Sequence, residues 1–252
     1  MKKIFYLIFI IGSLLYSANS CKVDNYPYPN AKVHGAMRDT LGGGLVETDL
    51  NTGSTIGAYE LGQYAANPIR KGWVIKQNGE YRNDLVYANV YKFEFTSCNF
   101  FPYTDTLTVK PGDNLIDFPV TPYIRVKNLS ITLNTSTNKI VATFNLEGGR
   151  PAVKVSKISL YAWTDMYVGE NVKKALANAT GSTQSFGTPA TIVPATQYTL
   201  SIDLATNPAT TMVGFGVHRD YYFRVGAIAS SSGLTGVGTI RTNYAPYVVI
   251  PL

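Results

Sequence analysis

Few residues in this chain have the type and spacing to do chemistry, and the clearest of them is a cysteine. Lys2 and Lys3 precede an apolar run from Ile4 to Leu15, which gives way to Ser17-Ala18-Asn19-Ser20-Cys21. A basic start, a short apolar stretch and small residues ahead of a cut site have the form of a secretory signal. The run falls short of the about 20 apolar residues that span a bilayer. The cysteine after the small residues makes this the lipoprotein variant, in which the thiol is acylated and Cys21 becomes the new N-terminus. Cys21 is therefore the expected lipidation site.

Other chemistries lack their parts. Cys98 is the only further cysteine, so no intrachain disulfide is expected, and without a His or carboxylate pattern around it the thiol reads as structural. The two histidines, His34 and His218, cannot form a zinc cluster at finger spacing, and no D-x-D-x-D-G calcium loop occurs. No metal and no cofactor is expected. His218-Arg219-Asp220 spells the start of a kinase catalytic loop, but Val225 stands where that loop needs its asparagine. The acids are dispersed. Asp165, Glu170 and Asp220 fall in loop-like stretches and read as surface charges rather than as a glycosidase pair. No G-x-S-x-G elbow is present, and no enzyme is expected. The net charge of +6 is scattered, with Arg70-Lys71 and Lys173-Lys174 the longest basic clusters, so a nucleic-acid partner is not expected.

The elements that would position any site are strands. Tyr, Phe, Gly and Pro are plentiful and charged residues are 15% of the chain, an all-β composition. Residues 22–30, with Pro27 and Pro29, read as a tether following Cys21. From Ala31 to Thr121 the pattern has period two: Tyr91, Phe93 and Phe95 face one way, Lys92 and Glu94 the other. Asn78-Gly79 marks a tight hairpin. A second series follows from Pro122 to Leu252, in which Ile140, Ala142, Phe144 and Leu146 share a face, as do Ile158, Leu160 and Ala162. Asn171 to Ala177 carries helix formers behind a possible Asn cap. The expected fold is all-β: a signal over 1–20, a tether over 21–30, and tandem β-sandwiches over 31–121 and 122–252, with one short helix in a loop of the second.

Strand parity nominates a ligand face. If Ile158, Leu160 and Ala162 point inward, Lys157, Ser159, Tyr161 and Trp163 point outward, beside a loop carrying Asp165, Met166, Tyr167 and Glu170. Sugars pack their C–H faces on aromatic rings while polar neighbours hold the hydroxyls. Tyr161, Trp163, Tyr167 and Asp165 are thus the candidate ligand-binding residues. In the competing arrangement the loop folds over this face and buries both rings.

Three stretches, Val33-His34-Gly35-Ala36-Met37-Arg38-Asp39, Asn78-Gly79-Glu80-Tyr81 and Asn89-Val90-Tyr91-Lys92-Phe93, resemble the transthyretin-like, carboxypeptidase-regulatory-like sandwich. Tyr221-Tyr222-Phe223-Arg224-Val225-Gly226-Ala227 resembles the penultimate strand of fibronectin type III and immunoglobulin-like sandwiches. Taken in order with Cys21-Lys22-Val23-Asp24-Asn25-Tyr26, Tyr59-Glu60-Leu61-Gly62 and Asp117 to Val126, the chain resembles a family of two-domain surface lipoproteins of unknown function. Such proteins are often encoded beside starch-utilisation-type (Sus-type) glycan-uptake genes. The resemblance implies a lipid-anchored outer-membrane protein at the cell surface, an accessory of glycan capture. Its implied partners are a polysaccharide or oligosaccharide and Sus-type transporter components, and it brings no catalytic residues. The alternative is a lipid-anchored fimbrial subunit that donates an apolar terminal strand, Val248 to Leu252, to a neighbour's sheet.

Overall fold

The computed structural model describes residues 27–62, 66–207, 215 and 219–252. The apolar leader, Cys21 and His218 lie outside the described residues. Among those described there is no helix, and the architecture is two tandem β-sandwiches.

The first sandwich holds β1 (Ala31–Asp39), β2 (Thr55–Glu60), β3 (Arg70–Val74), β4 (Glu80–Val86), β5 (Asn89–Phe95), β6 (Tyr103–Val109), β7 (Gly112–Leu115) and β8 (Phe118–Val120). One sheet has the order β4-β1-β7, with β8 paired to the far end of β1; the other runs β3-β2-β5-β6. Alternation puts Val33, Met37, Tyr81 and Phe118 of one sheet against Ile56, Trp73, Tyr91, Phe93 and Phe95 of the other. Trp73 stands edge-on to Phe93 with ring centroids 5.5 Å apart. At the Asn78-Gly79 turn, Gly79 has a φ of 86°, and a Cβ there would sit 2.5 Å from the Val46 carbonyl oxygen. Only glycine fits both demands.

The second sandwich holds β9 (Ile124–Asn134), β10 (Lys139–Gly148), β11 (Lys154–Trp163), β12 (Thr183–Thr191), β13 (Gln197–Asp203), β14 (Asp220–Ala229), β15 (Asn243–Tyr244) and β16 (Val248–Pro251). Its sheets are β13-β10-β9 and β12-β11-β14, with β15 and β16 both paired to the remaining edge of β14. Ile140, Ala142, Phe144 and Leu146 meet Ile158, Leu160, Ala162, Phe223 and Val225 in its core.

The helix expected over Asn171 to Ala177 is absent, because tertiary partners claim the groups a helix would need. The Lys174 N–H donates to the Ala162 carbonyl at 2.8 Å, beside the end of β11. The Asn171 side chain, instead of capping a helix, donates to Asp49, to the Leu50 carbonyl and to Thr52. Helix propensity is weak enough for such contacts to override it.

The two sandwiches meet through a buried polar seam. Arg224, on β14, is 0% exposed. It donates to the carbonyls of Ala245 (3.0 Å), Thr48 (3.2 Å) and Val168 (3.2 Å) and to the Glu47 carboxylate (2.5 Å), and lies 4.1 Å from the Tyr244 ring centroid. Burial pulls Arg224 below its usual range and pushes Glu47 above its own, and the attraction between the two opposes both shifts. Asp49 accepts from the Tyr244 hydroxyl at 2.8 Å and from the Glu170 N–H at 3.1 Å. Asn99 donates to the carbonyls of Glu47 and Thr242, and Asn243 donates back to the Asn99 carbonyl. Arg125 grips Asp39 with two nitrogens, at 2.5 and 2.7 Å. Burial alone would raise the Asp39 pKa, but the hydrogen bonds from Arg125 and the Leu41 N–H hold it below the usual carboxylate range.

Arg224→Met removes a donor from three carbonyls as well as the charge partner of Glu47, and is expected to cost about 3–5 kcal/mol. Glu47→Gln keeps an acceptor oxygen and should cost less. Urea unfolding of both variants measures the difference, and equal losses would count against the seam as described.

Candidate functional site: an aromatic row beside the seam

The candidate face begins on β11. Ile158, Leu160 and Ala162 are in the core, so Ser159, Tyr161 and Trp163 point to the opposite side, as parity requires. Pointing outward does not leave Tyr161 open. The loop after β11 folds over the middle of the strand, and Tyr161 is 4% exposed. Its hydroxyl donates to the Glu170 carboxylate, its ring stands 6.0 Å from that of Tyr244, and the Lys173 ammonium lies 5.3 Å from its centroid. Lys157 (3.3 Å) and Lys173 (3.0 Å) complete the partners of Glu170. Burial alone would raise the Glu170 pKa; the hydrogen bonds from Tyr161 and Lys173, with the charges of both lysines, hold it below the carboxylate norm. Burial, then Tyr244 and Glu170, push the Tyr161 phenol far up.

Tyr161 is therefore corrected from a ligand-facing ring to a packed one. A cleft of about 180 Å³ remains between the loop and β11, lined by Lys157, Tyr161, Glu170, Lys173 and Thr183 among others. Four of those groups already satisfy one another.

Beyond Tyr161 the sheet opens. Trp163 is partly exposed, Asp165 is exposed, and Tyr167 is 45% exposed. The register adds residues that parity on one strand could not supply. Trp163 pairs with Tyr222 of β14, which pairs with Val249 of β16. Directly paired residues share a face, so the three form one row across three strands. Tyr247 joins it, its ring 5.2 Å from that of Tyr222. Trp163 and Tyr222 pack on the buried cluster of Tyr161, Val168 and Tyr244. Tyr247 and Val249 are 38% and 41% exposed. Two residues before Tyr222, on the same face, is the exposed carboxylate of Asp220.

Trp163 thus falls at the end of β11 and Asp165 two residues beyond it, Tyr167 is exposed on the loop, and Tyr161 lies beneath the loop. Tyr222 and Tyr247 were missed. The alternation in Tyr221-Tyr222-Phe223 marks Tyr222 as outward, but only pairing places it beside Trp163. Elsewhere, Cys98 is 1% exposed, and burial pushes its thiol up to about 11. Among the described residues no group of three His, Cys, Asp or Glu side chains could hold a metal, and no helix is long and apolar enough to cross a membrane.

Fold and face together define a two-domain β-sandwich protein with a partly open aromatic row on one sheet of its second domain. Residues 124–235 match the model of a domain of unknown function, DUF3823_C. A proposed carbohydrate-binding protein from Bacteroides uniformis is 43% identical, with a TM-score of 0.80 over 89% of this chain and 100% of its own. A DUF3823 family protein from Bacteroides ovatus shares the fold at 22% identity, with a TM-score of 0.66 over 88% of this chain and 99% of its own. One from Parabacteroides merdae does so at 19% identity, with a TM-score of 0.66 over 89% and 100%. Comparison with curated proteins finds no match. The chain thus carries a DUF3823_C domain over residues 124–235 and belongs to the same family as the 43% identical Bacteroides uniformis protein.

The burial of Tyr161 predicts a large effect of its removal. Tyr161→Ala should cost about 3–5 kcal/mol, as for other large buried rings. An exposed ring would cost within about 0.5 kcal/mol. Thermal or urea unfolding decides between the two.

Proposed function

We propose that this protein is a non-catalytic lipoprotein of the outer membrane, anchored through Cys21 at the cell surface, that binds a glycan on its second domain. The observation that carries the reading is the row of Trp163, Tyr222 and Tyr247, with Asp220 exposed on the same face and Asp165 and Tyr167 exposed in the loop that follows Trp163. Aromatic faces with polar groups at the rim suit sugars, which are apolar on their C–H faces and polar at their edges. The 43% identical relative with a proposed carbohydrate-binding role supports the same assignment. In this reading residues 21–30 tether a transthyretin-like sandwich over 31–121 and a fibronectin-like sandwich over 122–252. The bound glycan is passed to Sus-type transporter components.

A fimbrial role has less support. A donated strand must be free, and β16 is already paired with β14 from Asp220↔Pro251 to Phe223↔Val248.

Affinity electrophoresis against a panel of polysaccharides tests the binding. The unmodified protein should be retarded by at least one of them. Trp163→Ala should weaken that binding by about tenfold, since a stacked ring is worth about 0.5–1.5 kcal/mol beyond its buried area. Retardation by no glycan would overturn the proposal. Anchoring is tested separately: Cys21→Ala, expressed in the native host, should leave the membrane fraction, and an unchanged distribution would remove the anchor.

A further inference from the structure

The aromatic row has a direction and a charged neighbour, and both bear on which glycan fits it. Trp163, Tyr222 and Val249 lie on three successive strands, β11, β14 and β16. Neighbouring strands are about 4.8 Å apart, so the row covers about 10 Å across the sheet. That is the length of two linked pyranose rings, not one. The Tyr247 ring, edge-on to Tyr222 at 62°, lengthens the aromatic surface.

The next outward-facing position along β14 is Asp220, paired with Pro251. Pairing of β11 with β14 ends at Trp163↔Tyr222, and Asp165 lies two residues beyond Trp163, in the bend that opens the loop. Both carboxylates are exposed, and among the described residues neither is in an ion pair. An ionised carboxylate only accepts hydrogen bonds, and two oxygens suit the adjacent hydroxyls of a sugar. The same charges repel a ligand carboxylate or sulfate. The nearby cations do not reverse that sign: Lys157 and Lys173 are committed to Glu170 under the loop, and Lys174 and Arg219 lie against the core-side rings of Phe215 and Tyr221.

We propose that the row takes at least two consecutive units of a neutral, hydroxyl-rich glycan laid across the strands. Asp165 and Asp220 accept its hydroxyl hydrogens and exclude uronic or sulfated sugars. This rests on the glycan-binding reading above and adds the charge and length of the ligand.

The test uses the mature chain, its Asp165→Asn/Asp220→Asn variant and Trp163→Ala. Each is titrated calorimetrically with neutral and acidic polysaccharides, and with an oligosaccharide series of the best binder beginning at the monosaccharide. Both aspartates are exposed, so an unchanged melting temperature checks that the variant is folded. The expected result is binding of a neutral glycan that rises steeply from one unit to two. The double variant should lose about ten- to a hundredfold on it, the worth of hydrogen bonds to charged acceptors, and gain on acidic chains. An acidic polysaccharide bound by the unmodified protein as tightly as any neutral one would overturn the inference and leave glycan binding standing. So would a double variant with unaltered selectivity, or a monosaccharide bound as well as a disaccharide. Binding of no glycan at all would remove the broader reading instead, and binding indifferent to Trp163→Ala would move the site elsewhere.

Discussion

A single buried guanidinium holds the arrangement together. Arg224 has no exposed surface, and its hydrogen bonds reach the segment after β1, the loop after β11 and the chain just past β15. Desolvating a cation is costly unless its donors are met, and here three carbonyls, a carboxylate and the Tyr244 ring meet them. Elements far apart in sequence must therefore converge on one point. Tyr222 lies two residues before Arg224 on the same face of β14, so the seam and the aromatic row are successive positions of one strand. Gly226 follows. A Cβ there would come within 2.9 Å of both the Tyr161 and Tyr244 rings, so only glycine lets those rings lie on the sheet. Along β14 the outward positions pass from a solvated carboxylate to a partly open ring, a buried cation and a glycine beneath two tilted rings.

The loop after β11 is irregular and still well held. It lacks a helical ladder, so several of its backbone groups are satisfied from outside. The Glu170 N–H goes to Asp49, the Val168 carbonyl accepts from Arg224 and Gln77, and the Lys174 N–H goes to Ala162. A buried loop requires this accounting, because each unmet group would cost free energy comparable to a lost hydrogen bond. Much of the loop's order is thus borrowed from the first sandwich through Asp49 and Gln77. That order covers Tyr161 while leaving Trp163 at the margin.

Period-two alternation made the strands legible. Tyr91, Phe93 and Phe95, and Ile140, Ala142, Phe144 and Leu146, are buried where the pattern put them. The outward direction of Tyr161 and Trp163 was legible as well. Their different fates were not, because burial on that side is set by a loop whose path depends on contacts with distant residues. Asn171 to Ala177 shows the same limit: its composition suits a helix, and tertiary hydrogen bonds draw it out. The aromatic row required strand register, which no local pattern records, since Tyr222 and Val249 meet Trp163 from far along the chain. Arg224, a charge inside an otherwise apolar and aromatic strand, was a visible sign of the seam that alternation alone could not interpret.

The mixed pairing of β1 has a mechanical side. Its neighbours are β4 running against it and β7 and β8 running with it, and its last residue, Asp39, is clamped by Arg125 of the other sandwich. A tug along the strand axis from the residues before Ala31 acts parallel to these ladders. Their bonds are strained side by side, in shear, and must give way together rather than peel open in turn. Such a load would pass on to the second sandwich through the Arg125–Asp39 clamp at the far end of the same strand.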